Sequence, residues 1–157
     1  MRVLMMVMLF VAACGGANTD VKTAKTAEYK LPPETLFDAA IQVAQQNYKI
    51  GQVDAAKHRF ATEPQLYDRE GGRQSPGSEG FVKTSDRSVE LTLIVEVVKH
   101  PQSVGVTITP KTYELLEGSP KPRELAPDDP SLPSWIHGRV DALAAGIYEA
   151  AKEHVVQ

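Results

Sequence analysis

The chain has 157 residues, with 17 Lys and Arg against 20 Asp and Glu for a formal charge of −3; 42% of residues are hydrophobic and 24% charged. That length and balance fit one globular domain and exclude a nucleic-acid face, which needs a clustered surplus of cations. The one cysteine, Cys14, excludes an intramolecular disulfide and any multi-cysteine zinc site.

The N-terminus reads as an export signal. Arg2 supplies a short positive region, and Val3 to Ala13 is an uncharged, mostly apolar run. As a helix that run would span about 16 Å, roughly half a bilayer core, so it is too short for a membrane anchor. It ends in Val11-Ala12-Ala13-Cys14-Gly15. Small residues before a cysteine let an extended chain enter a narrow peptidase groove. These residues resemble the lipobox of bacterial lipoproteins. The resemblance implies cleavage before Cys14, diacylglycerol on its sulfur and acylation of the new amino group. It also implies an envelope location, and the uncharged Gly15 and Gly16 favour the outer membrane. Two or more acyl chains anchor a protein stably at about 0.8 kcal/mol per buried methylene, so the anchor needs no basic patch. The chain then divides into a signal peptide over 1–13, a lipidated flexible tether over 14–28 and a single α+β domain over 29–157 facing the periplasm.

The first predicted helix covers 33–47. Pro32 and Pro33 suit a first turn, Glu34 complements the positive helix end, and Leu36, Phe37, Ala40, Ile41 and Ala44 follow at helical spacing. Residues 48–62 read as a hairpin turning at Asp54–His58. Ile50 and Val53 are out of phase, which a bulge near Gly51 would repair. The second arm could continue through Leu66 and Tyr67, with Pro64 restricting it to an edge. Residues 68–87 form a long polar loop, a length that is usually functional or disordered.

The clearest sheet signal follows. Val89, Leu91, Leu93, Val95 and Val97 alternate with polar or outward residues, as do Val104, Val106 and Ile108. A turn at His100–Ser103 pairs Val97 with Val106 and Val95 with Ile108, so the two apolar faces coincide. Five prolines between 117 and 133 exclude a helix or central strand there. A last helix begins near Pro133 or Ser134, with Ile136, Val140, Leu143, Ile147 and Ala151 as its apolar stripe. The expected fold is α+β: a four-stranded antiparallel sheet with the N- and C-terminal helices packed on one face. This order of helix, two hairpins and helix resembles the helix-grip domains of BamC-type outer-membrane assembly lipoproteins.

Catalytic chemistry is thinly represented. His58 and His100 fall in turns, and His137 and His154 lie about 25 Å apart on one helix, too far to share a metal. There is no nucleophile elbow, phosphate loop or paired-histidine metal motif. Asp54, Glu90 and Glu96 read as solvent-facing charge. We therefore expect no catalytic residue, no metal and no cofactor. The candidate interaction residues are Trp135 beside the proline-rich segment, which reads more readily as a core or hinge residue pinning that loop, and Ile94, Val98 and Tyr113 on the outer face of the sheet, as an apolar patch or a surface under the long loops. The favoured reading is a non-enzymatic protein-interaction or assembly module, held to the membrane by lipid on Cys14, within an envelope protein complex. The alternative is a periplasmic carrier or sensor of a small apolar ligand between the sheet and the last helix; an envelope hydrolase ranks third.

Overall fold

Helix α1 (Val21–Thr26) and strand β1 (Glu28–Tyr29) come first in the computed structural model, which describes residues 21–75 and 87–156. The signal-peptide and lipobox residues, Cys14 included, and residues 76–86 of the polar loop lie outside the described part. Next come α2 (Pro33–Gln45), β2 (Ile50–Asp54), β3 (Arg59–Thr62) and β4 (Gln65–Tyr67). After the loop come β5 (Val89–Lys99), β6 (Val104–Glu114), β7 (Arg123–Leu125) and α3 (Ser134–Ala151).

The fold is α+β with an antiparallel sheet, but the sheet has seven strands rather than four. The continuous path runs β1-β6-β5-β3-β2, with β4 also pairing β5 and β7 also pairing β6. The four expected strands are β2, β3, β5 and β6. Of the three additions, β4 is the expected continuation of the second hairpin arm through Leu66 and Tyr67, set off as its own strand; β1 and β7 are two or three residues long, too short to show a period of two. Neighbouring strands create them: β4 extends the line of β3 along β5, while β1 and β7 occupy the two ends of β6.

The β5–β6 hairpin closes across Lys99 and Val104, with Val97 opposite Val106 and Val95 opposite Ile108. All five odd-numbered residues from Val89 to Val97 are buried. They meet Leu36, Phe37, Ala40 and Ala44 of α2 and Ile136, Val140, Leu143 and Ile147 of α3 in one hydrophobic core. Both helices therefore cover the same face of the sheet. The register of β2 against β3 shifts between Ile50 and Gln52, so the bulge falls at Gly51.

Two side chains show how the sheet tolerates prolines. Glu63 and Pro64 interrupt the line between β3 and β4. Beside that gap, buried Thr62 accepts a hydrogen bond from the Leu93 amide at 2.9 Å through its Oγ1. The Leu93 amide thus points toward β3. Leu93 and its partner Pro110 form a non-hydrogen-bonded pair, and the donor that Pro110 lacks would have faced away from β5. On that side neither β1 nor β7 reaches residues 106–111 of β6, so no ladder bond is lost.

The expected tether is partly structured. Ala24 of α1 is buried, Lys25 donates to Asp141 of α3 at 3.0 Å, and α1 contacts both α3 and β6. A six-residue segment with one alanine facing inward carries no legible helical period, and an isolated helix that short is unstable in water. Docking on α3 supplies what the local sequence lacks. The chain after α3 returns to the same place: the Lys30 amide donates to His154 O and the Val156 amide to Glu28 O, both at 2.8 Å.

Tyr29 is 1% exposed at this junction. Burial, with the Tyr148 phenol adding to the effect, pushes its hydroxyl up from 10.0 to about 12. The folded state therefore holds this proton more tightly than the unfolded chain does. Stability from this group is complete below about pH 10 and is lost as pH rises toward 12. The expected loss is about 2–3 kcal/mol, read as a falling melting temperature across that window. Tyr29→Phe should flatten the decline; an unchanged alkaline limb would assign the loss to other groups.

Candidate docking groove

Among the described residues, no element covers the face opposite the helices. Its residues follow from the register: Gln52, Ala61, Ile94 and Thr109 stand in one cross-strand row. Thr92 and Lys111 form a second, and Leu66, Glu90, Tyr113 and Glu124 a third. A fourth row carries Asp54, Arg59, Glu96 and Thr107, with opposite charges side by side. An open groove of about 1110 Å³ runs along this face beside the β2–β3 hairpin. Ile94, Ala61, Thr92, Glu90, Lys111 and Tyr113 line its floor, while Gly51–Ala55 form one wall.

The charges in the groove nearly balance. Asp54, Glu63 and Glu90 face Arg59 and Lys111. The Lys111 ammonium lies 5.4 Å from the centre of the Tyr113 ring. A hydrogen bond with the Tyr113 hydroxyl raises the Lys111 pKa and keeps it cationic. Asp54 accepts from the Lys57 amide at 3.2 Å and so closes the hairpin turn. These groups can make ion pairs, hydrogen bonds and apolar contacts with something laid across the sheet.

No histidine lines this groove. His58 adopts a left-handed conformation at φ 49° and is buried on the helical side. Its Nε2 sits 3.5 Å from Glu34 Oε1, and its ring meets Phe37 edge-on at 5.8 Å. A backbone hydrogen bond at the helix start lowers the Glu34 pKa, with His58 contributing less. No imidazole among the described residues lines the groove beside Asp54 and Arg59. Among the described residues, no cluster of three or more His, Cys, Asp or Glu is placed to hold a metal, and no helix is long and apolar enough to cross a membrane.

The four candidate interaction residues separate. Ile94 and Tyr113 share the groove. Val98 lies at the far end of the same face, in a hollow with Thr26, Ala27, Gly105 and Thr107 beside α1. Trp135 belongs elsewhere. Its indole Nε1 donates to Arg69 O at 3.0 Å, and its ring packs on buried Tyr67 with centroids 4.9 Å apart. Arg139 stacks over the other aromatic partner, 4.9 Å from the Tyr67 ring centre, and donates to Gly71 O at 3.2 Å. Trp135 is an internal pin for the start of the polar loop. Arg73 fastens the same loop by donating to Asn47 O at the end of α2, at 2.6 Å.

Sequence reasoning missed Lys111, Ala61 and the β2 wall. Ala61 was accessible in principle, because it alternates with buried Phe60 and Thr62. The wall was not, because it depends on the tertiary placement of β2 beside the groove. No protein-family model matches the chain, and no curated protein matches it.

Proposed function

We propose that the chain is a lipid-anchored envelope protein, fixed through Cys14 to the outer membrane and facing the periplasm. Its domain acts without catalysis, docking a partner in an envelope protein complex. The observation that carries this reading is the groove on the outer sheet face, open among the described residues, in which Ile94 and Tyr113 stand among nearly balanced charges. A surface with an apolar centre and a polar surround suits a protein partner.

The test is in-cell crosslinking followed by purification of the membrane-bound chain and mass spectrometry of what it retains. Ile94→Glu and Tyr113→Ala should each lower the recovered partner by at least about tenfold, the size of a central contact. Both side chains face away from the core, so the melting temperature should barely move. Recovery of a stoichiometric small apolar molecule with no protein would overturn docking in favour of the carrier.

A further inference from the structure

The lipid-anchor reading acquires a geometric consequence once α1 is seen to dock, and the inference here rests on that reading. Cys14 and Val21 are separated by seven residue steps. Whatever path those residues take, seven steps reach at most about 25 Å. Without α1 the first fixed residues would be at β1, and the same arithmetic would allow about 50 Å. A domain of this size has a radius of gyration near 14 Å and is roughly 35–40 Å across. The shorter reach is less than the domain's own width and the longer one exceeds it. Docking of α1 therefore decides whether the domain can turn freely above the bilayer.

We infer that α1 shortens the leash so that the β6 side of the domain is held against the lipid headgroups, carrying the β2 wall of the groove on the side away from the membrane. Three observations place the sides. First, α1 contacts α3 and β6, with Ala24 buried and Lys25 bonded to Asp141. Second, the residues that follow α1 share a hollow with Val98, Gly105 and Thr107, at the hairpin end of β5 and β6. Third, β2 lies at the opposite end of the strand order, three strand spacings from β6. At about 4.8 Å each these amount to roughly 14 Å, added to the width of α1 itself. The bilayer surface is the occupant of the α1 side because the chain leaves that side toward its anchor with so little slack. Val21, the first described residue, is 37% exposed there, whereas Val53 of β2 is 53% exposed at the far edge.

The experiment uses the full-length chain purified in its membrane-bound form, with Val21→Cys or Val53→Cys as the single labelling site. Lipid on the Cys14 sulfur leaves only the new thiol free for a fluorescent maleimide. Each labelled protein is added to preformed vesicles of phosphatidylethanolamine and phosphatidylglycerol that contain a nitroxide-headgroup lipid. The label at 21 should be quenched at least about threefold more than the label at 53, given the reach bound above. Inserting about ten Gly/Ser residues between Asp20 and Val21 lengthens the leash without touching the folded body and should bring the two values together. Ala24→Glu, which undocks α1, should do the same with the sheet's circular dichroism unchanged. Equal quenching at both sites in the uninserted chain, with acyl mass confirmed on Cys14, would overturn the orientation and leave the anchor standing. A chain with no acyl mass that fails to float with the vesicles would overturn both.

Discussion

Leu93→Ala should destabilise the domain by about 3–5 kcal/mol, the range for a buried leucine whose surroundings cannot collapse into the space. Leu93 is fully buried in the middle strand, with α2 and α3 above it. Its amide is tied to Thr62 and its partner Pro110 has a fixed backbone angle, so the strand has little freedom to close the cavity. The melting temperature should fall by roughly 10–20 °C. The neighbouring change, Ile94→Ala, removes a comparable side chain from the open face and should cost about 1 kcal/mol or less. Strand alternation makes this a stringent comparison, because a slip of one residue would exchange the two results. Urea denaturation of both variants is the check. A larger loss at Ile94 than at Leu93 would overturn the assignment of faces on which the groove depends.

The second large effect is at the pin of the polar loop. Gly71 has φ +90°, and a Cβ placed on it would lie 2.8 Å from Trp135 Cγ. Gly71→Ala therefore meets two penalties, the left-handed backbone and collision with a ring that is itself held by Tyr67 and Arg69 O. The expected cost is about 2–4 kcal/mol. Trp135→Ala should cost a similar amount through lost stacking on Tyr67 and a lost hydrogen bond. The two changes share a contact, so they should not add. With the indole gone, Gly71→Ala retains only its backbone strain, about 1 kcal/mol. A double-mutant cycle by chemical denaturation measures the difference, and strict additivity would refute the contact as the cause. Neither variant touches the groove, so partner recovery measured below the lowered melting temperature should persist in both.

The three stability comparisons separate jobs that a single loss of function would merge. Leu93 reports on the core and Trp135 on the loop, while Ile94 reports on the outer face. If partner recovery followed stability across all three, docking at the groove would lose its support. If it followed only Ile94 and Tyr113, the groove would be the contact surface.

Long periodic segments were readable from the sequence by itself. The alternation from Val89 to Val97 and the apolar stripe from Ile136 to Ala151 each repeat often enough to identify one buried face, and the prolines at 32, 33 and 133 mark where the helices start. Even the bulge at Gly51 showed, because Ile50 and Val53 could not otherwise face the same way. Ile94 and Tyr113 were legible as outward residues for the same reason. The continuation of the second hairpin arm through Leu66 and Tyr67 also showed, but the short elements α1, β1 and β7 did not, since two to six residues carry no period and exist only because α3 or β6 offers a partner. Trp135 could be read as a partner anchor or as a residue pinning a loop, and the sequence could not say which groups it would meet; the fold brings Arg69, Tyr67 and Gly71 around it from more than sixty positions away. Local periodicity encodes which side of a segment is buried. Which segments then meet is settled by long-range packing, and the short leash, the loop pin and the groove wall all arise at that level.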